Sequence, residues 1–315
     1  PYKGIIYDPA CGSGGMFVQS MKFIENHHGD KKEISIYGQE YTSTTYKLAK
    51  MNLAIRGIAA NLGAVPADTF AKDQHKELKA DYIMANPPFN QKAWRADDEL
   101  LDDPRWKGYD VPQTGNANYA WILNMVSKLS SNGVAGFILA NGALSGGSEE
   151  YKIRKKLIEN GLVEAIVILP MRMFYTTDIS VTLWILNKNK TERTVKLNDQ
   201  VKNYRNRQDE ILFMDLRLIG EPFEKKYIQF SDTHLSEITS TYHNWQKANS
   251  DYQDIPEYCY SAKKEEVVNK DYSLVPSKYI EFINRDENID FGDKMTALQS
   301  EFFELLQSEE QSKND

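Results

Sequence analysis

Short apolar runs alternate with longer stretches of helical spacing through the first 190 residues. The runs at 4–7, 34–37, 61–65, 82–85, 133–139, 163–169 and 181–186 have the length and composition of strands. Between them Met16, Phe17, Met21 and Ile24 predict one helix, to about Asn26. Leu48, Met51, Asn52 and Ile55 predict a second, over 44–56, which Gly57 closes. Two more are predicted over 119–129 and 149–160. Strands separated by helices pair in parallel, because a crossover helix returns the chain to the same end of the sheet. The run at 181–186 follows 163–169 too closely for a crossover and is predicted to pair antiparallel.

The pattern then loosens. Residues 90 to 118 hold Trp94, Trp106 and Tyr109 among many acids with no period, as in a lid, a binding loop or a disordered stretch. After Asn187 come Lys188, Lys190, Arg193, Lys196, Lys202, Arg205 and Arg207 with few apolar residues between them, either a solvated linker or a basic flank. A strand at 211–215, a helix over 235–249 and a small β element joining 259–261 to 267–268 suggest an accessory extension. Met295, Leu298, Phe302, Leu305 and Leu306 form one face of a last helix over 293–307, which has to be buried against its own domain or a partner. The predicted organisation is 1–190 catalytic, 191–285 accessory and 286–315 docking helix.

Polar residues gather where the first four strands end, at Asp8, Glu40, Asp68 and Asn86. In a parallel sheet those ends share one edge, and ligands bind in the crevice outside it. At Asn86-Pro87-Pro88-Phe89 two prolines fix φ and donate no hydrogen bond, so the chain leaves the sheet. The Asn86 amide oxygen and an adjacent backbone carbonyl are two acceptors aimed at one point, with an aromatic face beside them. Such a site suits a planar group bearing an NH2. In Asp8-Pro9-Ala10-Cys11-Gly12-Ser13-Gly14-Gly15 the glycines permit positive φ and close backbone approach, ahead of the free N–H groups of a helix start. A plain turn is the alternative, which Asp8 at the strand end weakens. Glu40 is either a ribose acceptor or an exposed strand-end acid. Asp68 is placed to accept from an adenine amine that Phe70 helps to cover.

Bulk properties narrow this picture. The 315 residues suffice for one large α/β domain with additions, and 41% hydrophobic with 26% charged residues describe a globular chain. No apolar stretch approaches the roughly 20 residues that span a bilayer, and no signal-peptide pattern opens the chain, so a cytoplasmic protein is expected. The start at Pro1, already close to a core strand, suggests a truncated N-terminus. Two cysteines, Cys11 and Cys259, are too few for a disulfide framework or a cysteine zinc site. His27 and His28, adjacent and without a third ligand, make a poor metal site, so no metal is expected. The net charge of -7 has the wrong sign for gripping nucleic acid unaided.

Five segments together carry a resemblance: 8–15, Gly38-Gln39-Glu40, Asp68-Thr69-Phe70, Asn86 to Phe89 and Asn116-Ala117-Asn118-Tyr119-Ala120-Trp121. With 211–215 and 271–279 they make the chain similar, over nearly its whole length, to the N6-adenine DNA methyltransferases. Within these it resembles the HsdM-type modification subunits of type I restriction-modification systems. Asn-Pro-Pro-Phe alone is shared by enzymes that methylate amino groups of DNA, RNA or protein glutamine. The glycine loop and the spacing are more specific.

The resemblance implies an S-adenosylmethionine-dependent methyltransferase (Rossmann-like) α/β fold, with a seven-stranded, mostly parallel sheet and helices on both faces, plus the C-terminal extension and tail helix. It implies S-adenosyl-L-methionine as cofactor, held by Asp8, Ala10, Gly12, Ser13, Gly14, Gly15, Glu40, Asp68 and Phe70. Catalysis at N6 of a flipped-out adenine falls to Asn86, Pro87, Pro88 and Phe89. The implied partners are double-stranded DNA, a specificity subunit and a restriction subunit. Two other functions stand beside this one: methylation of RNA or protein glutamine, and a non-catalytic scaffold.

Overall fold

The computed structural model describes residues 3–27, 29–175, 177–197, 200–224, 226–283 and 291–314. His28 and the expected boundary near residue 286 lie outside them. In chain order the elements are β1 (Gly4–Asp8), α1 (Gly15–Asn26), β2 (Ile34–Gly38), α2 (Ser43–Ile55), β3 (Ala80–Ala85), α3 (Asn118–Lys128), β4 (Leu129–Ala140) and α4 (Ser148–Glu159). β5 (Val163–Ile168), β6 (Val181–Asn187), β7 (Arg193–Leu197), β8 (Gln200–Tyr204) and β9 (Glu210–Asp215) follow. The chain continues through β10 (Glu221–Phe223), β11 (Tyr227–Gln229), α5 (Asp232–Gln246), β12 (Cys259–Lys263), α6 (Lys264–Asn269) and α7 (Phe291–Asn314).

Eight strands form the central sheet in the order β12-β9-β5-β6-β4-β3-β1-β2. β1, β2, β3 and β4 run parallel to one another, β5 pairs parallel with β9, and β6 is antiparallel to both β4 and β5, as its short connection to β5 requires. Alternation along the strands divides the core between two faces. Ile6 and Ile36 pack with Phe17 and Ile24 of α1 and Leu53 of α2. Tyr7, Ile83 and Ile166 face the other way, toward Ile122 and Met125 of α3 and Leu157 of α4. Ala165, Val167 and Met214 pack with Trp245 of α5.

Four expectations are corrected. The predicted strand at 61–65 is reduced to a single bridge from Asn61 to Tyr37. Gly63 at φ +80°, its N–H taken by Asn61 Oδ1 at 3.0 Å, turns the chain out of extended geometry. The sheet instead grows at its other edge, where β9 pairs with β5 and β12 adds antiparallel to β9, so the expected seven strands become eight. The basic stretch after Asn187 contains the β7–β8 hairpin, and Val267 and Val268 lie in α6 rather than in a β element.

The chain divides into two compact units, residues 1–280 and 281–315. The second contains α7, whose Met295, Leu298, Phe302, Leu305 and Leu306 are all exposed. Among the described residues no helix is long and apolar enough to cross a membrane. Cys11 and Cys259 are unpaired and buried.

Candidate active site

β1 delivers Asp8 to the C-terminal edge of the sheet at 2% exposure. Its Oδ1 accepts the Ala10 N–H at 2.9 Å, and its second oxygen has no hydrogen-bond partner among the described residues. Burial is the main cause of a carboxyl pKa pushed up to about 7; the Ala10 N–H opposes the shift and the charge of Glu40 adds to it.

The glycine loop then closes on β2. Cys11 N–H donates to the Gln39 carbonyl at 3.0 Å, and Gly12 N–H donates to Glu40 Oε2 at 3.1 Å. The other Glu40 oxygen accepts Thr42 N–H at 2.8 Å, so both are engaged by backbone. Gly12 at φ +52° and Gly14 at φ +78° adopt the left-handed conformation this closure needs. Gly14 caps α1, whose first turn receives no side-chain cap, leaving N–H groups free at the crevice. A Cβ built on Gly12 or Gly15 meets nothing within 4 Å, so open space lies over both. Ser13 is exposed, and its carbonyl is anchored by Asn52 Nδ2 at 2.8 Å.

Gln39 organises the third segment. Fully buried, it donates Nε2 to the carbonyls of Ala67 and Asp68 at 3.1 Å and Lys72 at 2.8 Å, and it accepts Gln74 N–H. Thr69 Oγ1 donates to the Pro9 carbonyl at 2.6 Å, tying this loop to the glycine turn. Asp68 is half-buried, and its Oδ1 accepts the N–H groups of Phe70 and Ala71 at 2.7 and 2.8 Å. Phe70, expected to help cover an adenine, is 2% exposed and packs against Trp121 and Trp94, with ring centroids at 4.4 and 4.6 Å, supporting the loop from within.

β3 brings Asn86 to the same edge. Tyr7 pairs with Ile83, which puts Asp8 level with Met84 and Asn86 two positions beyond on the adjacent strand. Asn86 is exposed, and its amide makes no hydrogen bond among the described residues. Pro87 is buried, Pro88 exposed, and Phe89 half-buried where two core clusters meet. Asn90 follows at φ +52° in a reciprocal amide pair: its N–H donates to Asn118 Oδ1, and Asn118 Nδ2 returns a bond to Asn90 Oδ1, both at 2.9 Å. Asn116 Oδ1 accepts Asn118 N–H at 3.0 Å, and Ala117 N–H donates to the Gln91 carbonyl. The segment at 116–118 thus clamps the loop that carries the catalytic candidates.

Sequence reasoning missed Gln39 and Arg105. Arg105, in the aperiodic stretch after Asn90, donates to the carbonyls of Thr69 and Phe70 at 2.7 Å each and pairs with Asp103. It fastens that stretch to the Asp68 loop, and with Trp94 Nε1 bonded to the Gln113 carbonyl it gives the stretch a packed structure. No periodicity distinguishes one arginine among the charges there. Gln39 was visible only as part of a motif.

The profile of the N-6 DNA Methylase family matches residues 1–288. The chain is 42% identical over 308 residues to the type I restriction enzyme HindI methylase subunit of Haemophilus influenzae, covering 96% of this chain and 66% of that protein. Among solved structures it is similar to a type I restriction-modification methyltransferase subunit from Streptococcus thermophilus, at a TM-score of 0.73 and 27% identity over 89% of this chain and 54% of the other. It shares its fold with a putative class I S-adenosylmethionine-dependent methyltransferase from Listeria monocytogenes, at a TM-score of 0.56, 18% identity and coverage of 78% and 65%. The chain thus spans between about half and two thirds of the length of these relatives. Its glycine turn, its bare strand-end asparagine and this likeness over most of its length agree: the chain belongs to the N-6 DNA methylase family.

Proposed function

We propose that the chain is the catalytic part of a site-specific adenine DNA methyltransferase, the modification subunit of a type I restriction-modification complex. The observation that carries this reading is Asn86, exposed and without a partner at the sheet edge, two positions beyond the level of buried Asp8 on the neighbouring strand. The open space over Gly12 and Gly15, the free N–H groups of α1 and the undersatisfied Asp8 fit S-adenosyl-L-methionine. That group supplies, when bound, a methyl on a sulfonium sulfur. When bound, it would be held by Asp8 at its amino group, by the glycine loop at its methionine part and by Glu40 and Asp68 at its ribose and adenine ends.

An adenine inside a duplex is out of reach and has to be flipped, at a cost of a few kcal/mol. Asn86 Oδ1 and the Pro87 carbonyl accept the two N6 hydrogens and draw the nitrogen toward a tetrahedral geometry, with its lone pair out of conjugation with the ring and free for in-line attack. Phe89 stacks on the extruded base, worth roughly 1 to 3 kcal/mol. Positioning and two fixed acceptors carry the rate, with no covalent enzyme intermediate.

A net charge of -7 is unfavourable for gripping phosphates unaided, which supports a specificity subunit that supplies much of that contact in this reading, with a restriction subunit as further partner. The exposed apolar face of α7 is the docking element for the specificity subunit. Residues 1–190 then hold the catalytic machinery, 191–285 extend it, and the complex works in the cytoplasm, where the DNA is. Transfer of tritiated methyl to DNA by this chain with its specificity partner tests the proposal. Label in tRNA or protein but not in DNA refutes it.

A further inference from the structure

The end of the sheet opposite Asn86 carries a cleft that shares Phe70 and Arg105 with the loop supports above but none of the strand-end polar residues. β3 begins there at Ala80, β4 begins at Leu129, and β6, running the other way, ends at Asn187. The cleft encloses about 630 Å³, within the range of small-ligand pockets. Leu100, Val126 and Leu129 give it an apolar floor, with Tyr109 alongside.

Its charge is unlike that of the whole chain. Six cationic side chains line it against three acids, on a protein of net charge -7. Two of the acids are already engaged: Asp73 holds buried Lys128 at 2.6 Å, and Asp103 holds Arg105 at 2.7 Å. Lys76, Lys79, Lys107 and Lys188 are left facing Glu77 alone. Lys79 donates to the Ser127 carbonyl, while Lys76, Lys107 and Lys188 are exposed and make no side-chain hydrogen bond or ion pair among the described residues. The cations are close enough to perturb one another. Desolvation first, then the charge of Lys79, lowers the Lys188 pKa. Desolvation likewise lowers Lys128 against its Asp73 bond, with Arg105 and Lys79 adding to the fall.

We propose that this cleft binds phosphate groups, presented by a nucleotide or by a nucleic-acid backbone. A lone carboxylate engages one or two ammonium groups. A chain of phosphates offers many acceptor oxygens to several at once, and the apolar floor with Tyr109 receives the base or sugar attached to it. The cleft does not depend on the methyl-transfer reading, since its exposed lysines are none of the residues assigned to cofactor or base, and Phe70 and Arg105, which it shares with the Asp68 loop, carry none of the proposed phosphate contact.

Isothermal titration with inorganic pyrophosphate and with ATP, and anisotropy with a labelled short duplex, compare the wild-type chain with Lys107→Glu/Lys188→Glu. Both lysines are exposed, so the variant is expected to keep the wild-type unfolding midpoint. The neutral pair Lys107→Gln/Lys188→Gln repeats the comparison without new charge. At least one of the three probes is expected to lose about tenfold or more in affinity at low salt, with the loss shrinking as salt is added. Loss for pyrophosphate and ATP alone identifies a nucleotide, and loss for the duplex alone a backbone. No binding by the wild type, or affinities unchanged in both variants, overturns the proposal.

Discussion

Two carboxylates are buried at opposite edges of the same sheet, and the protein treats them in opposite ways. Glu164, at the start of β5, is fully buried and saturated: Oε1 accepts from Arg207 Nε and Nη2 at 3.2 and 3.1 Å and from Gln246 Nε2 at 2.9 Å, while Asn187 occupies Oε2. Asp8, at the end of β1, is nearly as deep but receives one N–H. Burial without compensation favours the neutral acid and pushes the Asp8 carboxyl up to about 7. A saturated buried acid holds structure together. An undersatisfied one at a strand's C-terminal end stores an unmet demand for a cationic or N–H-bearing ligand, which is the signature of a site.

The largest effect that separates the two edges is expected from Glu164→Ala. Removing the acid leaves Arg207, 1% exposed, with an uncompensated buried charge, a loss of about 3–5 kcal/mol. Denaturant unfolding measures it, and a loss below about 1 kcal/mol would show the network to be a bystander. The same substitution at the other edge has the reverse profile. Asn86→Ala is expected to cut methyl transfer by about 10² to 10³, as for other groups that stabilise charge only in the transition state. Its stability should stay within about 0.5 kcal/mol, because the exposed amide has no partner to lose. Cofactor affinity falling with turnover intact at saturation would remove Asn86 from the catalytic role.

The contrast also sorts what the sequence displays from what it conceals. Strands whose apolar runs alternate with helices were legible, as was the antiparallel β6, because period and connection length are local properties. The strand at 61–65 was not, since one glycine in a left-handed conformation overrides four strand-compatible neighbours. Val267 and Val268 carry a strand signature, but α6 begins directly after β12 with Glu265 and Glu266 in its first turn, where acids favour a helix start. Asp8, Glu40 and Asn86 could be picked out as candidates because β1, β2 and β3 end at one edge, whereas Asp68 follows a loop rather than the expected strand. The surroundings of Phe70 were not legible, because they depend on residues 94, 106 and 121, far along the chain.

A smaller effect is expected where the two categories meet, at Asn118. It is a buried structural residue whose only evident task is to hold the loop beyond Phe89. Asn118→Ala removes the acceptor of the Asn90 N–H, and because Asn90 is exposed and water can replace it, about 0.5–1.5 kcal/mol of stability is expected to be lost. Because the clamp sits one residue past Phe89, turnover should also fall while cofactor affinity holds. A stability loss with unchanged turnover would confine Asn118 to folding.

The gentlest probe is pH, and it tests Asp8 directly. Below about pH 4 both the folded and the unfolded chain hold the Asp8 proton, and the residue contributes no pH dependence. Between about 4 and the folded value near 7 the unfolded chain has released it while the folded chain keeps it, so stability declines as pH rises through this window and levels off above it. A ligand ammonium beside Asp8 favours the ionised form, so binding expels the proton wherever the free protein still holds it. Affinity for S-adenosylmethionine is therefore expected to rise with pH, by up to about tenfold per unit, until near 7 and then flatten. Asp8→Asn cannot ionise: its affinity should be weaker at pH 8 and flat across the range, and the stability decline should shrink to what other raised carboxyls, such as buried Glu150, contribute. Calorimetric titration in buffers of different ionisation enthalpy reads the proton release directly. Equal release by wild type and Asp8→Asn would move the demand for a cation away from Asp8 to another group at that edge.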